Sequence, residues 1–519
     1  MKLKNIFSAA FLLLAAYSAS AQDPIDIFGM AQGTYSFSTA RSTAMGGAFT
    51  SLGADGASAA INPAGIGMYK GSDWSITASY LGTNIDSKAS GPLGTYSTSD
   101  NMDKGIINNV SIIQNVFLND KTTVRSANIG FVFNKNNDFN TNQYTSGNYE
   151  TTSMLDMFAS QLSGISPSDI LSPSSDPMEP YRYMPVSLWG SMMAYNTGLL
   201  YVTDNSPYTY GLSYEDSGTL FLGDETYPDF TQQTSGYSAD YIITSGVNLL
   251  DKLYVGATVA FTDYKYSRYQ LYSEYANLDN NVGDLDIFDY RQNLTTSASG
   301  INMKLGVTYE PIRGIKIGVA YHTPTAYSVR EEYYALMDSY YTTSPSYLYA
   351  DTPYSLGEYR VRTPSKFLFG VSTTLANTAI LSFDYDRTNY HKMKVTDGLG
   401  SEGENSLNSE IADTYKASNN YRFGAEIKLG GYCYLRGGYA YYGNPLKNES
   451  DEENNWQNIS GGFGFKAGGF YMDVTYVNMV SNSSPQYFYY DSYSGIHSEQ
   501  TFANKTSRNS LMFTLGARF

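Results

Sequence analysis

Few residues in this chain have the type and spacing that catalysis or metal binding requires. Its 519 residues include three histidines, His322, His391 and His497, and a single cysteine, Cys433. No two histidines stand at metal-ligand spacing, and one cysteine excludes an internal disulfide or a multi-cysteine site. The acidic run 279–286 offers oxygen ligands but lacks the full calcium-loop motif. No serine stands out beside a histidine as a nucleophile. We expect no enzymatic activity, no metal and no cofactor.

The remaining chemistry-bearing residues are cations at alternate positions in apolar rows: Lys304, Lys316, Arg422 and Arg436. A lipid-facing surface would reject these side chains, whereas the polar lumen of a barrel accepts them. One interpretation is that they pair with the carboxylate head group of a ligand. The other, which is more common, is that they form ion pairs with neighbouring carboxylates.

Strict alternation predicts the strands that position these cations. Between Ser510 and Phe519, apolar residues occupy every second position, and the chain stops on an aromatic residue. About ten alternating residues are enough for a tilted strand to cross a bilayer. The pattern recurs in fourteen segments, near 72–83, 106–118, 123–134, 237–249, 253–272, 296–309, 315–330, 360–374, 379–392, 415–429, 432–443, 455–466, 470–481 and 506–519. We predict an all-β, 14-stranded antiparallel transmembrane β-barrel, with 72–519 as the barrel domain.

The connections between the predicted strands alternate in length. Tight turns such as Gly430-Gly431 and Gly468-Gly469 are followed by segments expected to be long polar loops: 273–292, 331–356, 393–414, 444–454 and 482–505. Short turns on the periplasmic side and long loops outside are typical of outer-membrane barrels.

Residues 1–21 have the pattern of a secretory signal peptide. Lys2 and Lys4 precede the apolar stretch Ile6–Ala16, and the small residues Ala19-Ser20-Ala21 precede a cleavage point. No run of 18 apolar residues follows, which excludes a helical membrane protein. The 50 tyrosines and 25 phenylalanines suit the aromatic girdles of a barrel. The net charge of -16 argues against a nucleic-acid partner. We expect a protein of the outer membrane of a Gram-negative bacterium.

One predicted extracellular loop, 135–236, is long enough to hold helices. Met154, Leu155, Phe158 and Leu162 fit one helical face, and Leu188, Trp189, Met192 and Met193 fit another. Methionine and aromatic side chains on such helices make adaptable apolar surfaces. Either the helices cap the barrel and pack on each other, or they form an extracellular hydrophobic groove that captures a ligand.

The segment 22–71 lacks strand alternation and resembles the N-terminal plug of the FadL/TodX family. The resemblance rests on Ala44-Met45-Gly46-Gly47-Ala48 and on Asn62-Pro63-Ala64-Gly65, two motifs that occur in order before the first strand. Together they form the predicted plug motif.

That resemblance implies a barrel closed by the plug (hatch) 22–71, which takes up long-chain fatty acids or other hydrophobic compounds. Such relatives catch ligand on loop helices and release it through plug rearrangement and a side opening beside an irregular third strand. Gly130 lies in the middle of that strand and would permit a kink. The expected partners are the hydrophobic ligand, outer-membrane lipid and, during biogenesis, the barrel assembly machinery. We expect a monomer.

Three other functions stay open on the sequence. Some FadL-like barrels act as secretion-system shuttles for cargo proteins. A haem-binding receptor would need an iron ligand, and among 50 tyrosines none stands out. A structural barrel or adhesin without transport would have a plug but no internal apolar cavity.

Overall fold

The computed structural model describes residues 24–33, 37–91, 94–119, 121–147, 153–171, 176, 178–203, 209–212, 226–276, 285–342, 344–398, 400–447, 453–483, 486–491 and 497–519. The predicted signal peptide and its cleavage point lie outside these residues. The described residues form twenty-three strands: β1 (Asp73–Gly91), β2 (Gly94–Leu118), β3 (Val124–Asp138), β4 (Thr141–Ser146), β5 (Leu200–Val202), β6 (Tyr210–Leu212), β7 (Thr226–Leu249), β8 (Leu253–Ala276), β9 (Leu285–Ile312), β10 (Ile315–His322), β11 (Ala326–Tyr341), β12 (Tyr347–Asp351), β13 (Ser355–Arg362), β14 (Lys366–Leu375), β15 (Ala379–Asn389), β16 (Lys394–Thr396), β17 (Ala417–Leu429), β18 (Cys433–Tyr442), β19 (Trp456–Ala467), β20 (Phe470–Ser483), β21 (Gln486–Asp491), β22 (His497–Thr501) and β23 (Ala503–Arg518).

These strands build a closed antiparallel barrel with fourteen strand positions. The hydrogen-bonded order is β1, β2, β3, β7, β8, β9, then β10 continued by β11, then β13 continued by β14, and β15, β17, β18, β19, β20 and β23. The barrel closes where β1 pairs with β23, from Asp73 opposite Arg518 to Lys88 opposite Ala503. Closure gives each of the fourteen strand positions a neighbour on both sides, which a structure surrounded by lipid requires. The predicted fold class and strand number are confirmed.

The helices lie inside the barrel or over one end of it. The α-helices are α1 (Pro24–Ala31), α2 (Ala40–Ala44), α3 (Ser58–Ile61), α4 (Met154–Leu162), α5 (Pro167–Ile170), α6 (Trp189–Asn196) and α7 (Gly400–Thr414), and the 3₁₀ helices are Pro63–Met68, Pro180–Arg182, Val186–Leu188 and Tyr390–Lys392. None of the helices in the described part of the chain combines the length and the apolar character needed to span a bilayer.

Several segments expected to be polar loops are instead strand. β8 continues to Ala276, β9 begins at Leu285, and β11 with β12 forms a hairpin through most of 331–356. The apolar alternation stops where lipid stops, yet the backbone pairing continues because tyrosine and β-branched residues still favour strands. These strands therefore rise beyond the membrane on the side opposite the tight turns. We call the two ends of the barrel the short-turn end and the extended end.

A belt of apolar side chains surrounds the outer wall. On β9, Ile301, Met303, Leu305 and Val307 point outward and are 44–49% exposed, whereas the alternating Lys304 is 6% exposed and faces inward. On β8 the corresponding outward row ends at Phe261, and Asp263, Lys265 and Ser267 follow on the same face. This is the pattern of a lipid-facing surface with a polar lumen.

Candidate functional site: the plugged lumen

The N-terminal residues 37–69 fill the lumen at the short-turn end, and Asn62 is one of their anchors. Its amide Nδ2 donates to the backbone oxygen of Thr50 at 2.6 Å and to Thr308 Oγ1 of the barrel wall at 3.3 Å. Its Oδ1 accepts the backbone N–H of Ala64 at 3.1 Å. Pro63 starts the 3₁₀ helix that follows, and its preference for an extended preceding residue matches the φ of -139° at Asn62.

Glycines let the plug and the wall approach each other closely. Gly46 and Gly47 have φ angles of 64° and 72°, in the left-handed region that favours glycine. A side chain at Gly46 would also meet the backbone oxygens of Tyr439 and Phe423 at 2.8 and 2.9 Å. On the opposite wall, Gly306 leaves the space that the side chain of Asn62 occupies. The motif residues thus make contacts that tie the plug to the barrel; their role in transport stays a prediction.

Three of the four predicted head-group cations already have carboxylate partners in the protein. Lys304 Nζ lies 2.8 Å from Asp240 Oδ2. Arg422 pairs with Asp386 and, at 3.6 Å, with Asp384. In this conformation these groups hold the barrel wall together, so the more common of the two interpretations fits them.

The other partnered cation, Arg436, belongs to a network between plug and wall. Its Nε lies 2.6 Å from Glu426 Oε2, and its Nη1 pairs with Asp473. Glu426 also forms an ion pair with Arg41 of the plug, whose Nε lies 3.0 Å from Glu426 Oε2. Because Arg41 belongs to the plug, this network is a second anchor of the plug to the wall.

Lys316 differs from the other three cations. Among the described residues no carboxylate lies within ion-pair distance of it, and its Nζ lies 3.7 Å from Met68 Sδ and 5.7 Å above the ring of Tyr254. It faces the plug near the short-turn end. Of the four, Lys316 is the cation that a ligand head group could reach without breaking an ion pair.

The predicted groove residues come together, but they are buried. Seven of the eight pack in one cluster with wall residues such as Phe288, Tyr290 and Tyr333, and Leu188 is not among them. All eight are at most 6% exposed. They are Met154, Leu155, Phe158, Leu162, Leu188, Trp189, Met192 and Met193. Leu188 ends a 3₁₀ helix rather than lying on α6. These residues therefore do not form an open groove in this structure. Together α4 and α6 form a lid that fills the extended end of the barrel.

A buried carboxylate anchors the lid to the wall. Glu274, near the far end of β8 and beyond the lipid-facing row, accepts hydrogen bonds from Ser153 Oγ, from the backbone N–H of Met154 and from Tyr272 Oη. Ser153 also caps α4 by accepting the N–H of Leu155. Burial raises the pKa of Glu274 to about 7, although the three hydrogen bonds oppose this shift. Sequence reasoning missed this residue because its lid partners, Ser153 and Met154, lie more than a hundred positions away.

The barrel wall parts between β2 and β3 beside the plug. Their ladder runs from Leu118 opposite Ser126 to Asn109 opposite Asn134 and goes no further, although both strands continue. Beyond this point the described part of β2 pairs with β1, and β3 pairs with β7. The plug reaches the last rung, because Ser38 Oγ donates to Asn134 Oδ1 at 2.8 Å.

Irregular pairing, rather than Gly130, marks this part of the wall. The ladders run in register through Gly130, whereas β3 and β7 shift register between Lys135 and Asn137. β2 shifts against β1 at Asn108, whose buried side-chain N and O atoms have no hydrogen-bond partner within the described part of the chain. A side chain at Gly130 would lie 2.3 Å from the terminal methyl of Ile113, so Ile113 would have to shift to make room for it.

The lumen holds a small polar cavity between the plug, α1 and the wall. Its volume is about 100 Å³, and its lining includes Lys304, Lys366, Asp240 and His322. The His322 Nε2 lies 2.8 Å from the backbone oxygen of Ile61. Pockets for drug-sized ligands usually measure about 300–1,000 Å³. A long hydrocarbon therefore cannot lie in this cavity unless the plug, α1 or the lid moves.

The fold is that of a transmembrane barrel with its own N-terminal segment inside the lumen. Neither models of known protein families nor curated proteins match the sequence. Among solved structures, a Pseudomonas aeruginosa FadL homologue aligns over 94% of this chain and 98% of its own, with 11% identity and a TM-score of 0.50. The P. putida toluene transporter TodX covers 92% of this chain and 97% of its own, with 12% identity and a TM-score of 0.48. The CymD monoaromatic hydrocarbon channel covers 94% and 99%, with 13% identity and a TM-score of 0.47. The likeness to the FadL homologue confirms the fold that the plug motif implied.

Proposed function

We propose that this protein is an outer-membrane transporter of the FadL type that takes up long-chain fatty acids or other hydrophobic compounds. The observation that carries the proposal is the lumen, which is closed by a plug at one end and by an apolar lid at the other. The short-turn end would face the periplasm and the extended end the exterior. A hydrocarbon gains nothing from a wet pore, whereas each methylene moved out of water gains about 0.8 kcal/mol.

The route we propose combines the lid, the plug and the parted wall. Ligand would first meet the buried apolar residues of the lid when the lid opens. Rearrangement of the plug would break the contact of Ser38 with Asn134, the last rung of the β2–β3 ladder. Ligand would then leave sideways where the two strands are unpaired. Lys316 lies at the short-turn end, beyond this lateral exit, so it would meet a carboxylate head group only if ligand passed the plug.

A reversible cross-link tests this route. We would replace Ser38 and Asn134 by cysteine in a Cys433→Ser background and oxidise the pair in whole cells. The expected result is normal binding of radiolabelled fatty acid at the surface with uptake lost, and recovery of uptake after reduction. The matched control is Tyr183→Cys with Tyr96→Cys, which introduces two cysteines at exposed positions away from the plug.

Two outcomes would contradict the proposal. Uptake that continues through the oxidised cross-link would show that the plug need not move from this wall. Gentle extraction followed by mass spectrometry gives an independent result: bound fatty acids or other lipids support transport, whereas bound haem or a stably bound exported protein would favour the other functions.

A further inference from the structure

The outward face of the wall carries cations just beyond the lipid-facing belt at the extended end. Four of them lie on β11, β13 and β16: Arg330, Arg360, Arg362 and Lys394. Their position follows from the order along the chain, since Arg362 ends β13 and the exposed Phe367 and Phe369 of β14 continue the same strand position into the lipid-facing belt. The same outward face also carries Glu332, Glu358 and Asp397, so the cations that can bind an anion are those without a carboxylate partner.

Two of these cations oppose each other without a carboxylate between them. Arg362 and Lys394 are direct partners in the β13–β16 ladder, and both are exposed on the same face. Like charges at directly opposite positions destabilise a sheet. Their neighbours differ: Arg330 pairs with Glu332 at 3.2 Å, and Arg360 pairs with Asp397 at 2.9 Å. Among the described residues neither Arg362 nor Lys394 has such a partner, so the pair lacks a counter-anion.

A shallow cleft of about 640 Å³ adjoins the pair on the same outward face. Its floor is made by small hydroxyl side chains, Ser297, Ser299 and Ser328, and its rim includes Arg360 and Glu358. Hydroxyls and carboxylates bind sugar hydroxyl groups, whereas arginine forms charge-assisted hydrogen bonds with phosphate. A phosphorylated sugar offers both kinds of group.

We propose that Arg362 and Lys394 bind a phosphate on the sugar head group of an outer-leaflet glycolipid, with the sugar lying in the serine-floored cleft. The position favours a lipid over a soluble anion, because the acyl chains of that lipid would run along the apolar belt below. Basic patches beside membrane-spanning segments recognise anionic lipid head groups in this way. The inference rests on the proposed outer-membrane location but not on transport.

The test compares two double variants of the full-length barrel. Arg362→Gln with Lys394→Gln removes the pair, and Lys252→Gln with Arg313→Gln removes two exposed cations from the short-turn end. Each barrel, purified in neutral detergent, would be titrated with phosphorylated lipid A, with dephosphorylated lipid A and with inorganic phosphate. We expect the first double variant to lose about tenfold in affinity for phosphorylated lipid A, with the control variant unchanged.

The outcomes separate the sources of the phosphate. Dephosphorylated lipid A should bind the unaltered protein as weakly as phosphorylated lipid A binds the Arg362/Lys394 variant. Equal binding of both lipids, unchanged binding after loss of the pair, or inorganic phosphate that binds as tightly as the lipid would each overturn the inference. Heat-modifiable mobility in gels confirms that each variant is a folded barrel. Uptake assays on the same variants report on transport separately, because neither cation lies in the lumen.

Discussion

The side chain of Asn62 links two parts of the plug to each other and to the barrel wall. Its amide reaches Thr50 and Thr308, while its oxygen starts the following 3₁₀ turn. A buried polar group that loses its partner costs about 1–3 kcal/mol. Asn62→Ala would leave the backbone oxygen of Thr50 with one fewer donor.

We expect Asn62→Ala to loosen the plug without unfolding the barrel. Limited proteolysis from the periplasmic side should cut residues 37–69 faster, while heat-modifiable mobility stays normal. Asn101→Ala, at an exposed position of β2, is the matched control. Equal cutting of the Asn62→Ala variant and the unaltered protein would show that this anchor does not hold the plug.

Glu274 should make the lid sensitive to pH. Its pKa is raised from its ordinary value of 4.5 to about 7 by burial, and Asp156 of α4 adds nearby negative charge. The closed lid therefore binds a proton that an opened, hydrated lid would release. The stabilisation is fully present below about pH 4.5 and is lost as the pH rises through about 7, a difference of roughly 3 kcal/mol at most.

The measurement is hydrogen exchange of the α4 backbone, corrected for the intrinsic rate. Protection should fall between pH 5 and pH 8 in the unaltered protein and stay constant in Glu274→Gln. Glu402→Gln, an exposed residue of α7, should keep the full dependence. A lid whose protection does not change over this range would contradict the role of Glu274.

At the scale of elements, the lid behaves as part of the core rather than as a surface. Phe158 and Trp189 are 2% and 4% exposed, and their rings contact Tyr290 and Tyr333 of the wall. The indole N–H of Trp189 donates to the backbone oxygens of Tyr181 and Met184, so a small substitution also loses hydrogen bonds. If these residues capture ligand, as we propose, the lid must first open.

Phe158→Asp or Trp189→Asp should therefore release the lid as well as weaken capture. Removing a large buried side chain costs roughly 2 kcal/mol, and an unpaired buried charge adds to that cost. We expect faster external proteolysis of 153–203 together with weaker binding of fatty acid to cells. Tyr183→Asp, at a position 78% exposed in the same insertion, should change neither. Weaker binding with an intact lid would instead indicate direct contact with ligand.

At the scale of the whole molecule, closure of the barrel depends on the two ends of the sheet. Phe519 exchanges backbone hydrogen bonds with Ser72 at 2.8 and 3.0 Å, and its ring lies 5.3 Å from that of Trp74. Arg518 adds an ion pair to Asp73 at 2.9 Å and donates to the backbone oxygen of Ala54 in the plug. The last strand thus joins the barrel seam to the plug.

Phe519→Lys should reduce the number of barrels that assemble. Barrels that do assemble should transport normally. The aromatic terminus completes the outward row of β23, and a charge at that edge of the lipid-facing belt is unfavourable. We expect less heat-modifiable protein in outer-membrane fractions, with uptake per folded barrel unchanged. Phe502→Tyr, at a buried position one residue before β23 and outside the lipid-facing row, tests whether an aromatic change at the other end of the strand matters. Normal levels of the Phe519→Lys protein would remove the argument.

The number of strands, the outward rows and the plug motif could be predicted because their signals are local. Lipid demands an apolar residue at every second position, as at Ile301 to Tyr309, and this pattern is visible in a single segment. The strand extensions beyond the membrane were wrongly expected to be loops, since no lipid imposes alternation there. Backbone pairing alone continues those strands, and it depends on a neighbour that the segment itself does not reveal.

Only the tertiary structure decided which polar residues meet. Lys304 and Asp240 are 64 positions apart, and Ser153 and Glu274 are 121 apart, so no spacing in the sequence pairs them. The same holds for the parting of β2 from β3, because it depends on how these strands pair with β1 and β7. The alternation of each strand specifies which side chains face inward. Which of these buried polar groups become hydrogen-bonded to each other is decided only when the closed barrel, the plug and the lid pack together.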